Sequence, residues 1–537
     1  MRSLSRLTAT SGDRTTPYSR KLASLTRSEG ASTPNRGLLT AFDADEREHL
    51  NASAQVHDEA LPATPSARRS RPIKKPKKKR FAMQPARLVR ACVVVFSFLA
   101  AAVGIAVKAP AQGNGPNMFG FANATGLHRT YNVNGAVDFD NLFFQSLGTN
   151  GRSCGSCHQP AEGWTIVPSH VQARFDATDG EDPVFRTNDG SNSPNADVST
   201  VEARRSAYSM LLTKGLIRVG IGIPPNAEFA MIDVDDPYGY ASAAELSLFR
   251  RPLPATNLPF LATVMWDGRQ TFPGQSIHFD LSDQANGATL GHAAGINPLT
   301  PAQRASIVNF EMGLFTAQST DNAAGVLNSR RGAGGPVTLS RQPFYIGIND
   351  VLSPGFDRRA FRLFDAWGSL ASADRDPYTE AREAVARGQE IFNTRGFTIA
   401  NVRGVNDALG ITALPGTCTT CHDTPNVGNH STSLPLDLGL TTAALRTPDM
   451  PLYTFQNKTT GEVIQTTDPG RALITGKWEH MSLFKGPILR GLAARAPYFH
   501  NGFAATLAEV VEFYNGRFNI GLSPQEKSDL VAFMKAL

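Results

Sequence analysis

Apolar residues in this chain recur mostly at helical spacing. From Thr379 to Arg395 it reads TEAREAVARGQEIFNTR, with Ala384, Val385, Ile391 and Phe392 on one side of a helix. Three helix starts carry a hydroxyl residue followed three positions later by Gln or Glu: Thr300–Pro301–Ala302–Gln303, Thr506–Leu507–Ala508–Glu509 and Ser523–Pro524–Gln525–Glu526. These capping boxes, two with Pro at the first helical position, predict helices near 301–316, 507–515 and 524–536. A shorter helical end at Leu142–Phe143–Phe144 runs into a Gly/Asn turn by Gly151. Residues 227–236 (AEFAMIDVDD) supply a candidate strand, and 176–200, rich in Asp, Asn, Gly, Ser and Pro, predict an ordered irregular loop. The expected fold is mainly α, with long loops, insertions and a small hairpin.

One apolar run is of another kind. Ala91 to Val107 is continuous, with Arg87 and Arg90 before it and Ala109–Pro110–Ala111 after it. That is the layout of a secretory signal, with cleavage expected before Gln112. A retained anchor is the rival reading, since the run borders on the length of a spanning helix. Met83 lies just upstream, so 83–111 alone would make a signal peptide of ordinary length. Residues 1–82, which end close to the run Lys74 to Arg80 (KKPKKKR), are then either a mis-assigned extension or a disordered tail.

Charge follows the same division. The chain has 537 residues and a formal net charge of +6. Residues 1–111 hold 20 Lys/Arg against 8 Asp/Glu, which leaves 33 against 39 in the rest, a net of −6. The basic excess is therefore no nucleic-acid footprint. The mildly acidic body suits a basic redox protein as electron donor.

Five cysteines are present, and Cys92 leaves with the signal. The other four lie in Cys154–Gly155–Ser156–Cys157–His158 and Cys418–Thr419–Thr420–Cys421–His422. In CxxCH, two thiols on one helical turn each bond a vinyl group of one porphyrin, and the adjacent His ligates its iron. A structural zinc site would need four ligands per metal, and a redox disulfide of the thioredoxin kind would need a βαβ setting that neither flank provides. The motifs therefore predict two covalently bound haem c groups. The expected organisation is an N-terminal haem domain over 112–375 and a C-terminal cytochrome c domain over 376–537, both cytochrome-c-like.

Three further stretches resemble the bacterial di-haem cytochrome c peroxidase family, which includes the di-haem enzyme of methylamine dehydrogenase maturation. They are Met265–Trp266–Asp267–Gly268–Arg269, Lys485–Gly486–Pro487–Ile488–Leu489–Arg490 and Ala496–Pro497–Tyr498–Phe499–His500–Asn501–Gly502. The resemblance implies that Trp266 passes electrons between the haems and that the His158 haem is the reactive one. Asp267 and Arg269 either order haem propionates or cap a turn. The resemblance also implies a calcium ion, with Asn257 of Asn257–Leu258–Pro259 and the carbonyls of Arg495 and Pro497 as donors.

The chain departs from the family at two places. Fourteen residues after His500 the peroxidases carry a Met ligand; here Tyr514 stands, as in the maturation-type members, and is the candidate sixth ligand of the second haem. His430, His480 and Met481 are alternatives. Gln284 matches the distal Gln, but ten residues on Ala294 replaces the family's proton-carrying Glu, with His292 nearby as a candidate acid–base group or iron ligand. His170 and His278 are other candidates. The expected function is an exported, periplasmic oxidoreductase that reduces peroxide or activates oxygen, served by a small redox protein. A di-haem electron carrier and a di-haem oxygenase acting on an organic substrate are the alternatives. No nucleic-acid partner is expected, and a membrane contact arises only through an uncleaved signal.

Overall fold

The helix signals are realised close to where the sequence pattern places them. In the computed structural model, which describes residues 114–115 and 117–537, helices run over Thr379–Thr394, Leu507–Arg517 and Pro524–Ala536. The expected extension 1–82 and signal 83–111 lie outside the described residues. Ser523 and Glu526 cap each other's backbone N–H at 3.3 and 2.8 Å, which sets the start of the last helix. Helices Thr379–Thr394 and Pro524–Ala536 pack together. A Cβ on Gly388 would fall 1.9 Å from the carbonyl oxygen of Asp529, so only glycine allows this approach. Phe361, Phe364, Trp367, Phe392 and Phe533 are buried beside this contact, each contributing about 1.5–3 kcal/mol of apolar transfer.

The expectation of a mainly α fold is corrected. Helix accounts for 31% and strand for 16%, with five sheets among the described residues. Met118–Asn123, Gly126–Asn132, Leu314–Asp321 and Gly325–Val326 form a four-stranded antiparallel sheet. Phe229–Asp235, the strand expected within 227–236, pairs with Leu452–Asn457, which pairs with Val463–Thr466. Ile217–Ile221 pairs with Leu246–Arg250, and Phe397–Ala400 with Ala413–Gly416. Asn114–Gly115 pairs with Val137–Asp138.

The physical reason is long-range pairing. Strands drawn from positions more than two hundred residues apart leave no local signal beyond short alternating runs between Gly and Pro turns. The same competition shortens the helix expected over 301–316. It ends at Met312, and Leu314 onward becomes a strand against Gly126–Asn132. The boundary expected at 375/376 falls between a helical turn at Ser372–Asp374 and the helix Thr379–Thr394. The described residues all belong to one unit by their contacts, and no helix among them is long and apolar enough to cross a membrane.

Candidate active site

The two CxxCH motifs are built alike. Each begins a 3-10 turn, Cys154–Ser156 or Cys418–Thr420, capped by the preceding hydroxyl residue, Ser153 or Thr417. The N–H of His158 donates to the carbonyl of Cys154 at 3.0 Å, and that of His422 to the carbonyl of Cys418 at 3.1 Å. Beyond each His the chain loops back and presents a carbonyl six positions on. His158 Nδ1 lies 3.1 Å from the carbonyl oxygen of Trp164, and His422 Nδ1 lies 2.6 Å from that of Gly428. A carbonyl can only accept, so Nδ1 carries the proton and Nε2 keeps its lone pair. Burial holds His158 neutral, its pKa lowered to about 4 against the opposing pull of the Trp164 carbonyl.

Trp164 reaches this geometry at φ 66°, a left-handed conformation that costs an unbranched aromatic residue about 1–3 kcal/mol. Complete burial among Phe143, Phe144 and Phe310, and a hydrogen bond from its indole to Thr130 at 2.8 Å, hold it there.

A cavity of about 260 Å³ opens over the first motif. Cys154, Cys157 and His158 line one side, and Leu258, Leu261, Val264, Leu281, Ile307 and Ile488 supply apolar walls. Helix Ile277–Gly291 and its cap present Gln284, Ala288 and His292 at four-residue intervals, a single stripe facing the space. Trp266, Arg269, Arg495 and Pro497 line it too, so the structure gathers most of the sequence-derived candidates around His158. The fit to haem is good: two thiols and a neutral imidazole at one wall, apolar faces, and buried cations. Among these, Arg495 has a buried Nη2 with no partner, suited to an anionic propionate.

Two acidic residues at this cavity escaped the sequence reading. Asp189 is buried between Arg152 and His292 and bonds both, taking His292 through Nδ1. Burial pushes its carboxyl up, but His292 and Arg152 outweigh this and hold it below the usual range. His292 is therefore oriented from behind, its Nε2 free of that bond. Glu311 is buried, with no hydrogen bond or ion pair among the described residues and an orphaned Oε2. Burial alone raises its pKa to about 8. Asp189 lies in the stretch read only as a loop, and Glu311 sits on a helix where nothing local marks it.

Trp266 is held by both ends of its own residue. Its indole donates to the carbonyl of Arg251 at 2.8 Å, and its carbonyl accepts from the N–H of Lys485 at 2.9 Å. Its ring is 6.1 Å from that of His500, which stacks on Phe484 at 4.0 Å. The neighbouring Asp267 accepts from Arg250 at 2.5 Å and from Arg269 at 2.9 Å, while Arg250 also clasps Asp468 at 2.7 Å. Asp267 thus anchors Arg269, which lines the cavity.

Around the second motif, Tyr514 is buried close to Cys421 and Cys418, and burial raises its pKa. Its ring is 6.0 Å from Phe499, which also lines the first cavity. His430 is buried with an orphaned Nε2. His480 bonds Thr475 at 2.8 Å, His278 bonds Asn309 at 3.2 Å and His170 pairs with Glu162 at 3.2 Å.

No protein-family model matches the chain. Curated relatives do. A cytochrome-c peroxidase, IdrP2, of Denitromonas iodatirespirans is 34% identical over 132 residues, 23% of this chain and 36% of that protein. The cytochrome c551 peroxidase of Nitrosomonas europaea is 32% identical over 124 residues, 22% of this chain and 30% of that protein. Over these stretches the chain is similar to bacterial cytochrome c peroxidases. It spans about a third of the length of these peroxidases, and 58% of IdrP1 from Pseudomonas sp. strain SCT, to which it is 27% identical over 229 residues. A solved MauG-like protein associated with microbial copper homeostasis overlaps 74% of this chain and 86% of its own at 17% identity. Its TM-score is 0.34, too loose to bear on the fold. The peroxidase relatives imply c-type haem as the cofactor class.

Proposed function

We propose that this chain is an exported, periplasmic oxidoreductase with two covalent haem c groups, one in 112–375 and one in 376–537. It reduces peroxide or activates dioxygen at the His158 site, with electrons passing by Trp266 to or from the His422 site. The observation that carries this reading is the repeated construction at the two motifs, one of which faces a cavity lined by Gln284, His292 and Trp266.

Cys154, Cys157 and His158 would hold the first haem, which would supply the redox chemistry for peroxide or oxygen entering the open cavity. The chain's own residues do the rest. His292, oriented by Asp189, would accept a proton from peroxide held in the cavity and give it back to the oxygen that leaves as water, the task of the Glu that Ala294 replaces. Gln284 presents an amide from the same helical stripe. Glu311 keeps its proton near neutral pH and can resupply it. Cys418, Cys421 and His422 would hold the second haem, with the Tyr514 oxygen as a further proposed ligand that would close this site to peroxide and suit it to storing an electron. Two ring pairs mark the proposed route between the sites, Trp266 with His500 at 6.1 Å and Phe499 with Tyr514 at 6.0 Å, joined through the backbone by the neighbours Phe499 and His500. A small redox protein supplies the electrons.

The test is to add hydrogen peroxide to the reduced holoprotein and follow the haem spectrum and turnover. Rapid oxidation with turnover supports the reading. Absence of any spectral change would make the chain an electron carrier instead.

A further inference from the structure

The family resemblance implies calcium between Asn257, Arg495 and Pro497, and the residues in place do not fit it. The carboxamide oxygen of Asn257 accepts from the N–H of Thr316 at 2.8 Å, and its nitrogen donates to the carbonyl of Thr316 at 2.9 Å. Both ends of the side chain are thus engaged by the strand Leu314–Asp321, and the residue is completely buried. The Arg495 carbonyl already accepts from the Arg251 guanidinium at 3.2 Å.

We propose that the Arg251 guanidinium is a built-in cation that joins these segments in place of calcium. It is buried and has no carboxylate at ion-pair distance among the described residues. Instead, four backbone carbonyls surround it. Nη2 donates to Ile166 at 2.6 Å and to Arg495 at 3.2 Å, and Nη1 to Lys214 at 3.0 Å and to Gly215 at 3.5 Å. Neutral oxygens converging on one positive charge are the chemistry of a hard-cation site. Here the charge is covalently tethered, planar and permanent. Burial lowers its pKa only to about 10, with Glu162 and Tyr498 acting in the opposite sense, so it stays charged at neutral pH.

The surroundings are shaped for this group. A Cβ on Gly215 would fall 2.4 Å from Nη1, and the residue's φ of +62° closes the short helix Ser209–Lys214 with its carbonyls turned to the guanidinium. The cage draws on three separate stretches: the loop after the first motif, the end of that helix, and the Arg495–Pro497 turn. A divalent ion placed among the same carbonyls would meet a fixed positive charge at contact distance. The Arg251 backbone extends the clamp, because its N–H donates to the carbonyl of His500 at 2.6 Å and its carbonyl accepts the Trp266 indole. Arg251 is thus also a positioning residue for Trp266.

The test has two arms. In the first, the holoprotein is stripped with EGTA and titrated calorimetrically with calcium chloride, and its melting temperature is recorded with and without the ion. No saturable binding and an unchanged melting temperature are expected; one calcium bound per chain with a raised melting temperature would overturn the proposal. In the second arm, Arg251→Lys keeps the charge but cannot span four carbonyls, and Arg251→Gln removes the charge. The melting temperature should fall in both, while the midpoint potential of the first haem should shift downward in Arg251→Gln and stay near wild type in Arg251→Lys. Equal potentials in all three proteins would contradict a buried cation at that cavity. Should Arg251→Gln fail to fold, Arg251→Lys and the calcium titration decide. This second readout rests on the haem reading, whose own failure would show as a protein without haem absorbance, and the calcium arm stands apart from it.

Discussion

Asp189 reaches His292 across 103 positions of sequence, and their bond is the most informative side-chain contact at the site. Removing the anchor should matter almost as much as removing the base. Asp189→Asn frees the imidazole to rotate and to take either tautomer, so peroxide turnover is expected to fall about 10- to 100-fold with little change in haem content. His292→Gln should fall further, and stopped-flow oxidation of the reduced protein measures both. Glu311 makes a different prediction. Its carboxyl, at about 8 when folded against a reference of 4.5, holds a proton that the unfolded chain has already released between those values. Its contribution to stability is therefore greatest below the lower value and is lost as pH rises toward the higher. Glu311→Gln should abolish this slope and stabilise the protein at pH 7, as read by denaturant unfolding across pH 4 to 9. Sequence reading singled out His292 because it stands two residues from Ala294, the position where an acid was expected. It missed Asp189 and Glu311 because their meaning is burial and partnership, which a single chain of letters does not display. The carbonyls of Trp164 and Gly428 were illegible for a simpler reason, since every residue carries one.

At the scale of elements, the legible features were those written locally. The capping boxes at Thr300 and Ser523 and the apolar stripe of Thr379–Thr394 depend on neighbours within four residues, and the helices begin where expected. The strands Phe229–Asp235 and Leu452–Asn457 depend on each other, and only the first was anticipated. Helix contact carries its own prediction at Gly388, whose missing side chain lets two helices meet at the Asp529 carbonyl. Gly388→Val should destabilise the chain by about 1–3 kcal/mol through overpacking, measurable as a lower denaturant midpoint with the haem spectrum retained. Arg387, paired with Asp529 at 2.8 Å across the same contact, is partly exposed and should matter less.

Across the whole molecule, two similar His–carbonyl units stand in unlike surroundings. The first opens on a cavity that collects residues from the loop after the motif, from helix Ile277–Gly291 and from the Lys485–Phe499 region. At the second, Tyr514 lies close to the cysteines and is itself flanked by Phe499, Phe513 and Phe518. Trp266→Phe keeps an apolar ring but loses the bond to Arg251, and should slow electron transfer between the sites while leaving each haem's spectrum intact. The central claim, one open iron at His158 and one closed iron at His422, is tested most directly by low-temperature electron paramagnetic resonance of the oxidised holoprotein, with spins counted per chain. One high-spin and one low-spin ferric signal in equal amount is the predicted result. Two low-spin signals, unchanged on adding peroxide, would contradict it.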